Sequence, residues 1–233
     1  MPLITFDSAA LTVDGMTLLH PLTLTLTEHR IGIIGANGSG KSTLVRLING
    51  LAHPSSGSVR VNDLDVARDG KKVRTAVGFV FSDADNQIIM PTVAEDVAFS
   101  LHRHKLPRQE RDRRVHEILE RMGLADHADQ SPHQLSGGEK QMLALASIMV
   151  LDPELIIADE PTTLLDLRNR KKIAELFDRL PQQMIIVTHD LDLLRHADRV
   201  LCMHEGRVID DSADPRFPSN SPAEVVSAYI ERM

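Results

Sequence analysis

Four stretches of this chain carry residue types whose spacing suits chemistry on phosphate. The first is Gly35-Ala36-Asn37-Gly38-Ser39-Gly40-Lys41-Ser42-Thr43, which fits G-x-x-x-x-G-K-[ST] between an apolar run and a helical pattern. Glycines there let backbone N–H groups turn inward around phosphate oxygens, and the positive end of the following helix adds to the attraction. Lys41 is placed to reach the β- and γ-phosphates of a nucleotide, Ser42 to set its hydroxyl on Mg²⁺, and Thr43 to bond a further oxygen. Asn37, Gly38, Ser39 and Gly40 complete the cradle. An ordinary glycine turn would not need every fixed position.

The second stretch, "LIIADEPTTLLD", ends an apolar run on Asp159 and Glu160. Ligands gather at the carboxyl ends of parallel strands, so these acids are expected beside the phosphate loop. Asp159 would hold the metal, and Glu160, pointing the other way, would orient and deprotonate a water. Taken alone, both also fit a solvated strand end. The third, "MIIVTHDLDLL", repeats the layout and leaves His189 where its imidazole can contact the γ-phosphate. A single histidine there also fits a helix start, and only its companions make the catalytic reading persuasive.

The fourth stretch is "LSGGEKQ". Ser136 and Glu139 have the spacing of a capping box, which would by itself only begin a helix. Capping does not account for Gly137 and Gly138, which strip side chains from the first turn so that an anion can approach the exposed N–H groups. The chain therefore carries two phosphate-binding surfaces, and a head-to-tail pair of chains could sandwich two nucleotides between them.

The elements that must position these groups follow from patterning. Runs at 31–34, 77–81, 155–158 and 184–187 are continuously apolar, which predicts strands buried on both faces of a parallel α/β sheet. The alternating, Thr-rich segment from Ile4 predicts antiparallel strands with a turn at Asp14-Gly15. Between 83 and 151 no strand-like run occurs, while "RRVHEILERMGL" and "MLALASIMVL" read as helices. The expected organisation is a single domain over 1–233: an α/β core at 1–82 and 152–233, with a helical subdomain at 83–151 inserted into it.

Lys and Arg total 26 against 33 Asp and Glu, a net charge of −7, which disfavours a nucleic-acid partner. The most apolar run, 142–151, is about half the ~20 residues a membrane crossing needs. With Cys202 the only cysteine, no internal disulfide can form, which suits the cytosol. The chain is expected to be soluble, with any membrane role coming through a partner.

With these motifs in this order, the chain resembles the ATP-binding cassette (ABC) ATPases over Ile4 to about Arg207, with "LSGGEKQ" as the family signature. That resemblance implies a P-loop (RecA-like) core with an N-terminal antiparallel β subdomain, ATP and Mg²⁺ as cofactors, and a homodimer. In it Ser136, Gly137 and Gly138 bind the γ-phosphate held by the partner chain, and Asp166 bridges the interface. "DADNQIIMPTVAEDVAF" is similar to the ATPases of energy-coupling-factor vitamin and metal importers, which implies a transmembrane coupling protein, a substrate-binding membrane protein and a place on the cytoplasmic face of the membrane. The finish at Met233, soon after "VLCMHEGRVIDD", looks most like the ATPases of dedicated biotin importers; cobalt or nickel import is the alternative, and a nucleic-acid-directed cassette a more distant one. A kinase sharing the phosphate loop would not explain the signature.

Two departures stand out. The family usually has a magnesium-contacting glutamine where this chain has Ser82, while Gln87, five residues on, is expected to sense the membrane partner around a groove running to Asp96. The aromatic on which the family often stacks adenine is replaced by Val13. The basic run at 103–114 could face anionic lipid or be a solvated helix face.

Overall fold

The computed structural model describes residues 1–232, and Met233 lies outside them. Its strands are β1 (Ile4–Val13), β2 (Met16–Leu26), β3 (Arg30–Ile34), β4 (Ser56–Val61), β5 (Leu64–Asp65), β6 (Val77–Val80), β7 (Leu155–Asp159), β8 (Gln183–Val187), β9 (Arg199–His204) and β10 (Arg207–Asp211). The helices are α1 (Lys41–Ile48), α2 (Val66–Ala76), α3 (Val93–Ser100), α4 (Arg108–Met122), α5 (Gly137–Met149), α6 (Leu167–Arg179) and α7 (Pro222–Arg232). Two compact units emerge, one of Met1–Gly78, Glu154–Glu160 and Pro181–Met233, the other of Phe79–Pro153 and Pro161–Leu180.

In the first unit one sheet has the order β2-β1-β4-β5 and the other β10-β9-β3-β8-β7-β6. β9, β3, β8 and β7 are parallel, so the loops that follow them leave from one edge of the sheet. Strands β3, β7 and β8 are buried at every residue, as their unbroken apolarity predicts. β1 and β2 form the expected hairpin, with Val13 opposite Met16 and both turn residues, Asp14 and Gly15, at positive φ. That is the geometry a two-residue turn needs to match strand twist. β10 departs from an all-parallel core: it returns antiparallel on β9 through Glu205 and Gly206, at φ 45° and 71°. Buried Arg199 pins this hairpin, donating to both carboxylate oxygens of Asp211 at 2.8 and 2.6 Å, to Glu28 and to the Thr25 carbonyl. A planar guanidinium satisfied on so many sides holds a buried charge without an orphaned donor.

The second unit is helical apart from the end of β6, and residues 83–151 fall within it together with Pro161–Leu180. α4 ends on Gly123 at φ 71°, as a left-handed cap requires. Two arginines of its basic run are satisfied along their own helix: Arg113 and Arg114 both donate to Glu110, holding that carboxyl at about 2. Such internal pairing is what a solvated helix face does with its charge. Asp96 does not present its acid to a surface groove. It is buried, accepting from the Ile89 and Met90 amides at 2.8 and 3.1 Å and from Ser147 at 3.0 Å.

Candidate functional site

In the first unit, β3 ends at Ile34 and the chain turns through Gly35, Gly38 and Gly40, all at positive φ, into α1. A Cβ at Gly35 would lie 2.3 Å from the Met203 carbonyl oxygen, so close approach of β9 excludes any side chain there. Gly40 caps α1 at φ 96° with no side-chain cap, leaving the helix-end amides for an anion. The loop is braced from β9–β10: Gly206 N donates to the Ser39 carbonyl and Gly206 O accepts from His20 N, each at 2.9 Å.

A cavity of about 530 Å³ opens over this loop, lined by Asn37–Thr43, Glu160, Thr17, Leu18, His20 and the Glu205–Gly206 turn. Lys41 is buried with its Nζ donating to the Gly35 and Ala36 carbonyls at 2.7 and 3.0 Å. Burial pushes its pKa down, against the pull of Glu160 and Asp159. A buried ammonium held only by loop carbonyls can turn to an incoming phosphate. Ser39 Oγ is buried without a hydrogen-bond partner in the same wall.

Ser42, at the start of α1, donates its hydroxyl to Asp159 Oδ1 at 2.8 Å, and Arg46 stands 3.8 Å from the other oxygen. Burial raises the Asp159 pKa, and the Ser42 hydrogen bond and Arg46 offset it only in part. Paired hydroxyl and carboxylate oxygens with uncompensated negative character are the donor set a hard divalent cation takes, so Ser42 and Asp159 fit Mg²⁺.

Glu160 follows Asp159 with φ 55°, a backbone region that costs a non-glycine residue energy. Its N–H donates to the Val187 carbonyl at 2.8 Å, which locks the turn and swings the side chain away from that of Asp159. Glu160 Oε2 then accepts from the His189 backbone N–H at 3.3 Å and lies 2.7 Å from His189 Nδ1. The structure thus brings together both residues expected to act in catalysis, and Glu160 lies on the wall of the cavity that holds the phosphate loop.

In the second unit the capping box is formed: Glu139 Oε2 accepts from Ser136 N and Oγ at 2.8 and 2.7 Å, and Glu139 N donates back to Ser136 Oγ. Gly137 is exposed, and a Cβ there would meet nothing closer than 3.9 Å. Gly138 differs from the expectation that both glycines clear a path for an anion. It is buried, and a Cβ added there would lie 2.3 Å from Asn169 Cγ. Asp166 is exposed and caps α6 by accepting from Asn169 N at 2.8 Å. Gln87 is tied to backbone at both ends of its amide, accepting from Phe81 N at 3.3 Å and donating to the Ala144 carbonyl at 3.2 Å, while Ser82 is exposed. Val13 is exposed and does not line the phosphate cavity; His20 is the ring that does.

No helix among the described residues is long and apolar enough to cross a membrane. The sequence profile described as ABC transporter matches residues 19–163. A Rhizobium etli protein named biotin transport ATP-binding protein BioM is 48% identical over 228 residues, covering 98% of each chain. The structure of cbiO1 from Clostridium perfringens, described as part of the ABC transporter complex cbiONQ, superimposes with a TM-score of 0.82 at 33% identity, over 98% of this chain and 92% of that one. A dimeric post-hydrolysis state of the ATP-binding cassette MJ0796, bound to ADP and Pi, gives a TM-score of 0.79 at 28% identity, over 89% and 97%. With the phosphate loop, the paired carboxylates and the capped glycine helix in place, the chain belongs to the ABC transporter ATP-binding family and is an ATPase of that family.

Proposed function

We propose that this chain is the ATP-hydrolysing subunit of an energy-coupling-factor importer, with biotin as cargo, working at the cytoplasmic face of the membrane as a homodimer. The observation that carries the chemistry is Glu160 on the wall of the phosphate-loop cavity, in contact with His189. Support for the cargo is the full-length similarity to the Rhizobium etli protein named for biotin transport.

In this reading Lys41 and the amides of Asn37–Thr43 hold the triphosphate, with Ser42 and Asp159 as the groups that take Mg²⁺. The bound cation would offset the charge of the β- and γ-phosphate oxygens. Glu160 accepts a proton from water as that water attacks the γ-phosphorus, and ADP leaves with the bridging oxygen. His189, oriented by Glu160, contacts the γ-phosphate. Ser136 and the Gly137–Gly138 helix tip of the second chain close on that γ-phosphate, Asp166 meets the interface, and Gln87 relays the state of the site to the transmembrane coupling protein. The dimeric MJ0796 structure with ADP and Pi supports the two-chain arrangement.

The test uses a Glu160→Gln chain that binds but does not split ATP. Light scattering should record a dimer with ATP and a monomer with ADP, and Ser136→Ala in that background should weaken the dimer. A chain that stays monomeric with ATP overturns the sandwich. For the cargo, the tagged chain should copurify with membrane proteins that retain biotin by mass spectrometry; another trapped vitamin or a metal ion overturns the biotin assignment alone.

A further inference from the structure

The two glycines of the signature do different jobs. Gly137 is open, whereas a Cβ at Gly138 would lie 2.3 Å from Cγ, 2.5 Å from Oδ1 and 2.6 Å from Nδ2 of Asn169. Asn169 sits in the first turn of α6, where its amide N–H is held by Asp166 Oδ1. That turn is tied further, Arg170 N donating to the Asp166 carbonyl and Arg170 Nε to the Leu165 carbonyl, each at 2.9 Å. The Asp166 turn is therefore one stiff piece, and the Asn169 side chain is where it seats on the tip of α5. A cavity of about 390 Å³ walled by α5, α6 and the end of α4 lies beside the contact.

We propose that Asn169 is a positioning residue: its side chain, seated in the space left by the missing Cβ of Gly138, fixes the Asp166 turn relative to the Ser136–Gly137 amides. This rests on the reading of that helix tip as a phosphate-binding surface. Interfaces of this kind are discrete, and displacement by an ångström is enough to misalign a reacting pair. On this account Gly138 is a glycine because of Asn169, and phosphate approach is left to Gly137.

The experiment measures kcat and KM for ATP with the full chain and with Gly138→Ala, Asn169→Ala and the double variant, Tm being recorded for each. Gly138→Ala should lower kcat by about tenfold or more and Asn169→Ala by about threefold, both with KM nearly unchanged, because the phosphate loop is untouched. The double variant should recover to the level of Asn169→Ala. A double variant no better than Gly138→Ala, or a Gly138→Ala chain with wild-type turnover, overturns the assignment. Should Gly138→Ala fail to fold, Asn169→Ala still decides: wild-type kcat, or a raised KM in place of a lowered kcat, overturns it. Ser136→Ala separates the underlying reading, since wild-type turnover there would remove the phosphate-binding surface, whereas impairment there without rescue of Gly138→Ala removes only the role of Asn169.

Discussion

Replacing Glu160 by glutamine and, separately, by glycine separates proton transfer from backbone strain. Glutamine keeps the side-chain length and an oxygen for the His189 N–H, but it cannot take a proton at neutral pH. Loss of a general base costs about 10²–10⁴ in turnover, roughly 2.7–5.5 kcal/mol of barrier. Glycine removes the same base and also relieves the left-handed backbone at φ 55°. That conformation costs a non-glycine residue about 1–2 kcal/mol. Against this stands the His189 contact, worth about 0.5–1.5 kcal/mol net, since His189 is half exposed. The flexibility glycine gives the unfolded chain takes back about 0.4–1 kcal/mol. The terms nearly cancel, so the glycine variant should melt within about 4 °C of wild type, while both variants lose turnover together. Phosphate release at saturating ATP and a calorimetric melt read the two quantities. A glutamine variant keeping more than about a tenth of wild-type turnover refutes the general base, and a glycine variant melting more than about 10 °C lower refutes the stored strain.

Asp159→Asn should abolish fast hydrolysis yet raise Tm at neutral pH, because the amide still accepts from Ser42 without a buried charge. The sign follows from a folded pKa raised by burial: the cost is present while Asp159 is ionised and disappears as pH falls through its raised pKa, so the Tm gap between the two chains should close on acidification. A variant that melts below wild type at pH 7 would overturn the dominance of desolvation. ATP and GTP should bind within about tenfold of each other, since Val13 lies outside the cavity and stacking on a ring such as His20, which lines it, uses a π-face that both bases share. Competition against a fluorescent nucleotide measures this, and a preference beyond about a hundredfold would place a base-reading group that the cavity does not show.

Where chemistry and patterning coincide, the chain was legible in advance. Unbroken apolar runs marked β3, β7 and β8 because strands buried on both faces leave no room for alternation. The phosphate loop and the Ser136–Glu139 box were readable because each is a local arrangement of backbone donors. What stayed hidden depends on neighbours distant in sequence. Nothing about a glutamate signals positive φ, which Glu160 adopts because its amide is captured by Val187 across the sheet. Gly138 looked like its neighbour until Asn169, thirty-one positions on, occupied its side-chain space. The β9–β10 hairpin carried a signal, Glu205-Gly206 between apolar runs, but the four runs that marked the parallel core did not include its strands.

The brace between Gly206 and Ser39 sets an order on biosynthesis. The phosphate loop precedes most of its sheet in the chain, yet the strand that carries it, β3, lies between β8 and β9, and the carbonyl of Ser39 waits for the amide of Gly206, made 167 residues later. Until that tail has been translated the glycine-rich segment lacks this clasp, so its native geometry is expected to form only once β9 and β10 have been made.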